Sequence, residues 1–320
     1  MNTLKYNPLA VVIDQTVLCN EACFFCWRSD NEKVKAAYED ALTAFHLPWE
    51  IYKKIIDDCS QYPQLVGMSM CGPMGDPTLV PSLAERAIYA RKHFKTVLMN
   101  TNGVALDKHD PSELIKGFTK INISLDTVRE DTYKEIHGKD HLIKVLKNVF
   151  VLIKANQKAT NPIKIGLKFT ENKHNKGQLG SVRKWLVETG LAGDKNHTVN
   201  PKEIHSFIDV QPDITSKHGA KLCNQPYSTI NFNYKGEITT CCINYKCDPV
   251  FGSIEENTLK QLWESKDFED WRKSRLTALC EGCSGLPGNR VTKGLAKTSL
   301  SEYENFGEQE YNTKYPYGKA

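Results

Sequence analysis

Short β-type apolar runs alternate with helical stretches over most of this chain, and no other feature limits the fold as strongly. The candidate strands are Ala10–Ile13, Leu65–Met70, Thr96–Met99, Ile121–Leu125, Ile163–Phe169 and Ile204–Val210. Between them, Leu47–Cys59, Ser82–His93, Pro111–Ile115, Leu142–Ala155 and Gly180–Thr189 repeat apolar residues at three- or four-residue spacing, the period of a helix with one buried face. Strands separated by helices pair in parallel, because a parallel partner needs a crossover long enough to hold a helix. Six such units make a partial (β/α)6 barrel the economical α/β solution. Sites on parallel α/β sheets lie at the C-terminal strand ends, so the residues just after each strand come first.

The first strand runs into Cys19, Cys23 and Cys26, spaced Cys-x-x-x-Cys-x-Phe-Cys with Phe25. Three thiolates on one short loop hold three irons of a [4Fe-4S] cube and leave the fourth open, whereas a closed electron-transfer cluster takes four cysteines. A structural zinc site wants two ligand pairs, and no second Cys or His pair lies near this loop. Disulfides need an oxidising compartment, yet Met1–Pro8 is polar and the first apolar stretch is too short for a secretory signal or a membrane span. The chain therefore reads as cytoplasmic, with reduced thiols and no membrane partner. Eleven cysteines is many for such a protein, and most fall into two groups far apart in sequence, which points to two metal sites. A net charge of +4 without a Lys/Arg block gives no reason to expect nucleic acid.

Three later strand ends carry polar, turn-rich segments. Cys71-Gly72-Pro73-Met74-Gly75-Asp76-Pro77 follows the second strand, with glycines that let backbone approach a ligand and a carboxylate in Asp76. Asn100-Thr101-Asn102-Gly103 and Ser124-Leu125-Asp126 follow the next two. Taken singly these are ordinary features: Asn-Gly is a common turn, and Asp126 is a candidate cap for a helix starting near Glu130. The second cysteine group is Cys223, Cys241 and Cys280-Glu281-Gly282-Cys283; around Asn233–Gly236, Tyr227–Phe232 and Glu237–Cys241 alternate as the strands of a hairpin. Cys242 competes with Cys241 as a ligand, since neighbours differ only in the side they face. Zinc held by the same four thiolates is the structural alternative.

In this order the motifs resemble the radical S-adenosylmethionine (SAM) superfamily with a C-terminal SPASM/twitch auxiliary domain. The resemblance implies that Cys19, Cys23 and Cys26 hold a SAM-binding [4Fe-4S] cluster and that Phe25, Gly75, Asp76, Asn102, Ser124 and Asp126 bind SAM. The segment at Gly75-Asp76 departs from the family's Gly-Gly-Glu-Pro, being stretched and carrying Asp for Glu. It further implies one auxiliary [4Fe-4S] cluster on Cys223, Cys241, Cys280 and Cys283, closed by four thiolates. Gly252-Ser253-Ile254 and Leu259–Trp263 match that domain's bridging segment. The expected organisation is a radical SAM barrel over 1–215, an auxiliary domain over 216–285 and a polar tail over 286–320.

The implied chemistry is reductive cleavage of SAM to a 5′-deoxyadenosyl radical that takes a hydrogen atom from a substrate, fed by an external electron donor such as flavodoxin or ferredoxin. An auxiliary cluster that accepts a second electron favours net oxidation. Asp209, at the end of the last expected strand, is the candidate base, with His205 on the same face. Cys71 is a core thiol or a hydrogen-atom donor, the latter implying epimerisation. Only eighteen residues precede Cys19, which leaves no room for a leader-peptide domain and favours a small sugar- or aminocyclitol-like substrate. The competing expectations are a peptide-modifying maturase and a non-enzymatic zinc or redox-sensing protein. Cys59, at helical spacing after Ile55 and Ile56, is expected in the core.

Overall fold

In a computed structural model that describes residues 2–42, 44–193, 195–202 and 225–274, six parallel strands form the expected partial barrel. They are β1 (Ala10–Ile13), β2 (Gly67–Met70), β3 (Thr96–Thr101), β4 (Lys120–Ser124), β5 (Lys164–Thr170) and β6 (His197–Lys202). Each pairs in parallel with the next, in register Val12↔Ser69, Met68↔Val97, Asn100↔Asn122, Asn122↔Gly166 and Ile165↔His197. The helices are α1 (Asn31–Ala41), α2 (Trp49–Ser60), α3 (Leu83–Arg91), α4 (Pro111–Gly117), α5 (Glu130–His137), α6 (Leu142–Lys158) and α7 (Leu179–Glu188). Asp30 caps α1 by accepting from the amides of Glu32 and Lys33. Asp110 and Pro111 start α4, and Gly138 ends α5 at φ 69°, the left-handed turn that glycine adopts without strain. The strand expected at Ile204–Val210 lies outside the described residues; β6 occupies the sixth position.

Strand alternation sorts side chains between two faces. Val11, Ile13, Met68, Met70, Val97, Met99, Ile121, Ile123, Ile165, Leu167 and Phe169 belong to one core cluster with Tyr52, Ile55, Leu83, Ala87, Val145 and Val149 from the helices. The alternate positions, Ala10, Val12, Asp14, Ser69, Cys71, Leu98, Asn100, Asn122 and Ser124, turn to the opposite, concave face. Cys59 is fully buried in the core, as expected.

The second half of the chain departs from the expected stand-alone hairpin. After α8 (Gln225–Ser228), β7 (Thr229–Phe232) pairs in parallel with β1, Ala10↔Thr229 to Ile13↔Phe232. β8 (Glu237–Thr239) and β9 (Val250–Ser253) follow antiparallel, so one sheet of nine strands runs β6-β5-β4-β3-β2-β1-β7-β8-β9. Asn233 shapes the hairpin turn, its side-chain oxygen accepting from the amides of Lys235 and Glu237. Gly236 is required there: its φ is 79° and a Cβ would lie 2.5 Å from Ile51. Two short helices, α9 (Leu259–Trp263) and α10 (Lys266–Ser274), close this end, with the buried Arg272 guanidinium over the rings of Phe268 and Trp263. Among the described residues no helix is long and apolar enough to cross a membrane.

Candidate active site

Cys19, Cys23 and Cys26, all partly exposed, sit on the loop after β1, where the strand's C-terminal end delivers them to the open mouth of the barrel. The Cys26 amide donates to the Cys23 carbonyl at 2.9 Å, curling the loop into the short turn Trp27–Ser29. Two neighbours brace it. On the β2 side, Trp27 Nε1 donates to the Pro73 carbonyl at 2.7 Å, and the buried Arg28 donates to the carbonyls of Val17 and Met74. On the α5 side, the amides of Ala22 and Phe24 donate to the carbonyls of His137 and Ile136, at 2.9 and 3.0 Å. Burial pushes the Cys19 thiol up to about 12 and those of Cys23 and Cys26 upward too. Thiols so held become thiolates only when positive charge arrives, so iron binding displaces their protons.

The loops after β2 and β3 close over this one. Gly75 is packed so tightly that a Cβ would lie 2.3 Å from the Leu18 carbonyl oxygen and 2.5 Å from that of Thr16. The Asp76 amide donates to the Leu18 carbonyl at 2.8 Å. Its carboxylate accepts from the Thr78 amide and hydroxyl, the Thr101 hydroxyl and, at 2.7 Å, the Asn102 amide. Burial raises its pKa and these donors pull it back. Asn102 donates to Asn20 Oδ1 at 2.7 Å, with the Cys19 sulfur 3.6 Å from the same nitrogen. Ser124 ends β4, partly exposed, and Phe25 meets Phe24 edge to face at 5.3 Å. Asp126 does not cap α5, whose N-cap is Arg129. It is fully buried and accepts from the Thr170 amide, with Oδ2 3.3 Å from His137 Nε2.

Cys71 leads out of β2 with its sulfur 2.9 Å from the Ser69 hydroxyl. Cys241 and Cys242 follow β8, both partly exposed. Cys223, Cys280 and Cys283, and with them Asp209 and His205, lie outside the described residues. Tyr245 stacks on Trp27 at 5.3 Å and 10°, which ties the segment after β8 to the cluster loop, and Cys247 packs in the same small apolar cluster, with Cys26 at its edge. Trp27, Arg28, Tyr245 and His137 all support the site, and sequence reasoning singled out none of them. The first two could have been found from their place beside Cys26; His137 offers only its helical spacing from Tyr133.

Three thiols on one loop, a neighbouring amide within reach of Cys19 and glycine-enforced close packing of the next loop fit a three-cysteine cluster with room for one further ligand. Comparison with known proteins agrees. The profile of the radical SAM superfamily matches residues 14–174, and that of an iron-sulfur cluster-binding domain, SPASM, matches residues 223–284. The chain belongs to the radical SAM superfamily, with a SPASM iron-sulfur cluster-binding domain at its C-terminal side. SAM, a [4Fe-4S] cluster and an auxiliary iron-sulfur cluster are its cofactors. Fe-coproporphyrin III synthase of Methanosarcina barkeri is 29% identical over 188 residues, 58% of this chain and 42% of that protein. A probable GTP 3′,8-cyclase of Sulfurisphaera tokodaii is 30% identical over 192 residues, 59% of this chain and 54% of the other. The chain thus spans about half the length of these curated relatives. Among solved structures, BtrN in complex with AdoMet and 2-DOIA superposes with a TM-score of 0.53 at 14% identity, covering 89% of this chain and 95% of that one.

Proposed function

We propose that this radical SAM enzyme oxidises a small polar substrate held against the concave face of the sheet, passing one electron to the auxiliary cluster. SAM bound at the reduced cluster supplies the 5′-deoxyadenosyl radical that abstracts the substrate hydrogen atom. The observation that carries the reading is the composition of the concave face. Around the apolar Val12 and Leu98, it presents Asp14, Ser69, Asn100, Asn122, Ser124 and, from β7, Asn231. Asn122 donates to Asn100 Oδ1 at 2.8 Å, while the buried Oδ1 atoms of Asn122 and Asn231 have no hydrogen-bond partner among the described residues. Unsatisfied buried acceptors cost stability unless a ligand or water donates to them, and they therefore suit hydroxyl or amino groups. The relatives named for GTP and the complex with 2-DOIA lend support from small polar ligands.

Net two-electron oxidation needs one hydrogen atom for the radical, one electron for the auxiliary cluster and one proton for a base. Asp209 remains the proposed base, and Asp14 is a described carboxyl on the concave face, its pKa raised to about 8 by burial. We assign the auxiliary cluster to Cys223, Cys241, Cys280 and Cys283, and the SAM contacts to Phe25, Gly75, Asp76, Asn102, Ser124 and Asp126. The test is anaerobic incubation with SAM and a low-potential reductant against a panel of sugars, aminocyclitols and nucleotides, reading 5′-deoxyadenosine and product mass. A product lighter by two hydrogens with substrate-dependent 5′-deoxyadenosine is expected. Stimulation by peptides alone, with no small molecule active, would sink the proposal.

A further inference from the structure

His137, at the last position of α5, is 1% exposed, among the most buried polar side chains of the described residues; its carbonyl braces the cluster loop, and its ring faces that loop as well. Its ring is enclosed by three neighbours. Tyr133, one turn earlier, stacks on it at 4.2 Å and 27°. Asp126 Oδ2 lies 3.3 Å from Nε2 without hydrogen-bond alignment, and Asp126 is itself held by the Thr170 amide. The remaining ring nitrogen, Nδ1, is 3.2 Å from the Cys23 sulfur. The same helix end clamps the loop's backbone, through the Ala22 and Phe24 amides, and Gly138 approaches so closely that a Cβ would lie 2.8 Å from the Ala22 carbonyl oxygen. Tyr133 and His141 both reach Glu21 Oε1, at 2.8 and 3.1 Å, so the residues on either side of Cys23 are anchored independently of any metal.

A cysteine bound to iron is a thiolate, which has no proton to give and only accepts. With the cluster in place, a Cys23–His137 hydrogen bond can run only one way: Nδ1–H donates and sulfur accepts. Hydrogen bonds to cluster sulfurs stabilise the more negative, reduced state and raise the reduction potential. We propose that His137 is a positioning residue for the SAM-binding cluster, which donates Nδ1–H to the Cys23 thiolate and so sets the potential at which the cluster takes up its single electron. Stacking on Tyr133 holds the ring in the plane that this needs. The proposal rests on the family's cluster and on this chain's own residues, not on the identity of the substrate, and it is tested without one.

The experiment is an EPR-monitored redox titration of the reconstituted full chain, following the signal that changes when SAM is added. Replacing His137 by Phe keeps an aromatic ring on Tyr133 and removes the donor. The expected result is a more negative midpoint by at least a tenfold change in the equilibrium constant, about 59 mV for one electron. His137→Gln, which keeps an N–H, should recover part of the shift. An unchanged midpoint in His137→Phe at wild-type iron content overturns the proposal. Should that variant fail to load iron, the native protein decides: with ¹⁵N-labelled histidine, pulsed EPR of the reduced cluster should show a ¹⁵N coupling and an exchangeable proton, and the absence of both overturns it equally.

Discussion

Ile121 and Asn122 are neighbours on the central strand β4, both buried, and they belong to different worlds. Ile121 faces the helices in the continuous apolar core, whereas Asn122 faces the concave side with an unpartnered oxygen. The same contrast runs along β2, β4 and β5, whereas β1 is apolar on both faces. A strand's period of two lets one set of backbone hydrogen bonds serve both a packed, water-free face and a polar one. Stability and ligand chemistry are thus separated by single-residue steps along the chain, and substitutions at adjacent positions should fail in different ways.

The largest effect is expected on the outer face. Ile121→Ala should cost about 2–5 kcal/mol through lost contacts and a residual cavity. A lowered urea midpoint checks it, and SAM cleavage per folded molecule should be unchanged. Next comes Gly75→Ala, where the added methyl collides with backbone oxygens of the cluster loop. Expected is loss of the SAM-binding cluster's iron with the core still folded, read by iron content against circular dichroism.

A pH-dependent effect belongs to Asp14. Its folded pKa of about 8 stands above the ordinary 3.8 because burial disfavours the carboxylate, although an amide donated by Met74 opposes this. The neutral form is the one that the fold accepts, so stability is fully present below pH ~4 and falls as pH rises through ~8. Asp14→Asn should flatten that fall, gaining on the wild type with rising pH; parallel denaturation curves from pH 5 to 9 would contradict it. The smallest stability effect is Asn122→Ala, about 1 kcal/mol or less, because the side chain makes one internal hydrogen bond. Its kcat/KM should nonetheless fall about tenfold, equivalent to ~1.4 kcal/mol. If Asn122→Ala unfolded the protein as readily as Ile121→Ala, the contrast between the faces would collapse.

Much of the outer face was legible in the sequence. The apolar runs that mark β1 to β5 and the helical spacing of α2, α3, α4, α6 and α7 are local signals, which the core simply fulfils. The loops were legible through their chemistry, since cysteine spacing and a Gly/Pro-rich turn identify themselves. Two things were not. β7 reads as half of a hairpin, and its parallel pairing with β1 is a contact between distant segments that no local pattern encodes. His137 reads as one polar residue near a helix end; only folding places Cys23 against it, through backbone bonds from a loop far away in sequence. Asp126 reads as a cap for the same reason: its partner, Thr170, is the last residue of a different strand, β5.

That unforeseen pairing has one more outcome. Without β7, strand β1 would stand at the border of the sheet, a four-residue row of Ala, Val, Val and Ile with its amides and carbonyls open on one side. Such a row is a template for pairing with another molecule, which natural proteins cover, bend or charge. β7 therefore covers that edge, and a chain shortened before residue 225 should precipitate as β-rich aggregate rather than persist as a free barrel.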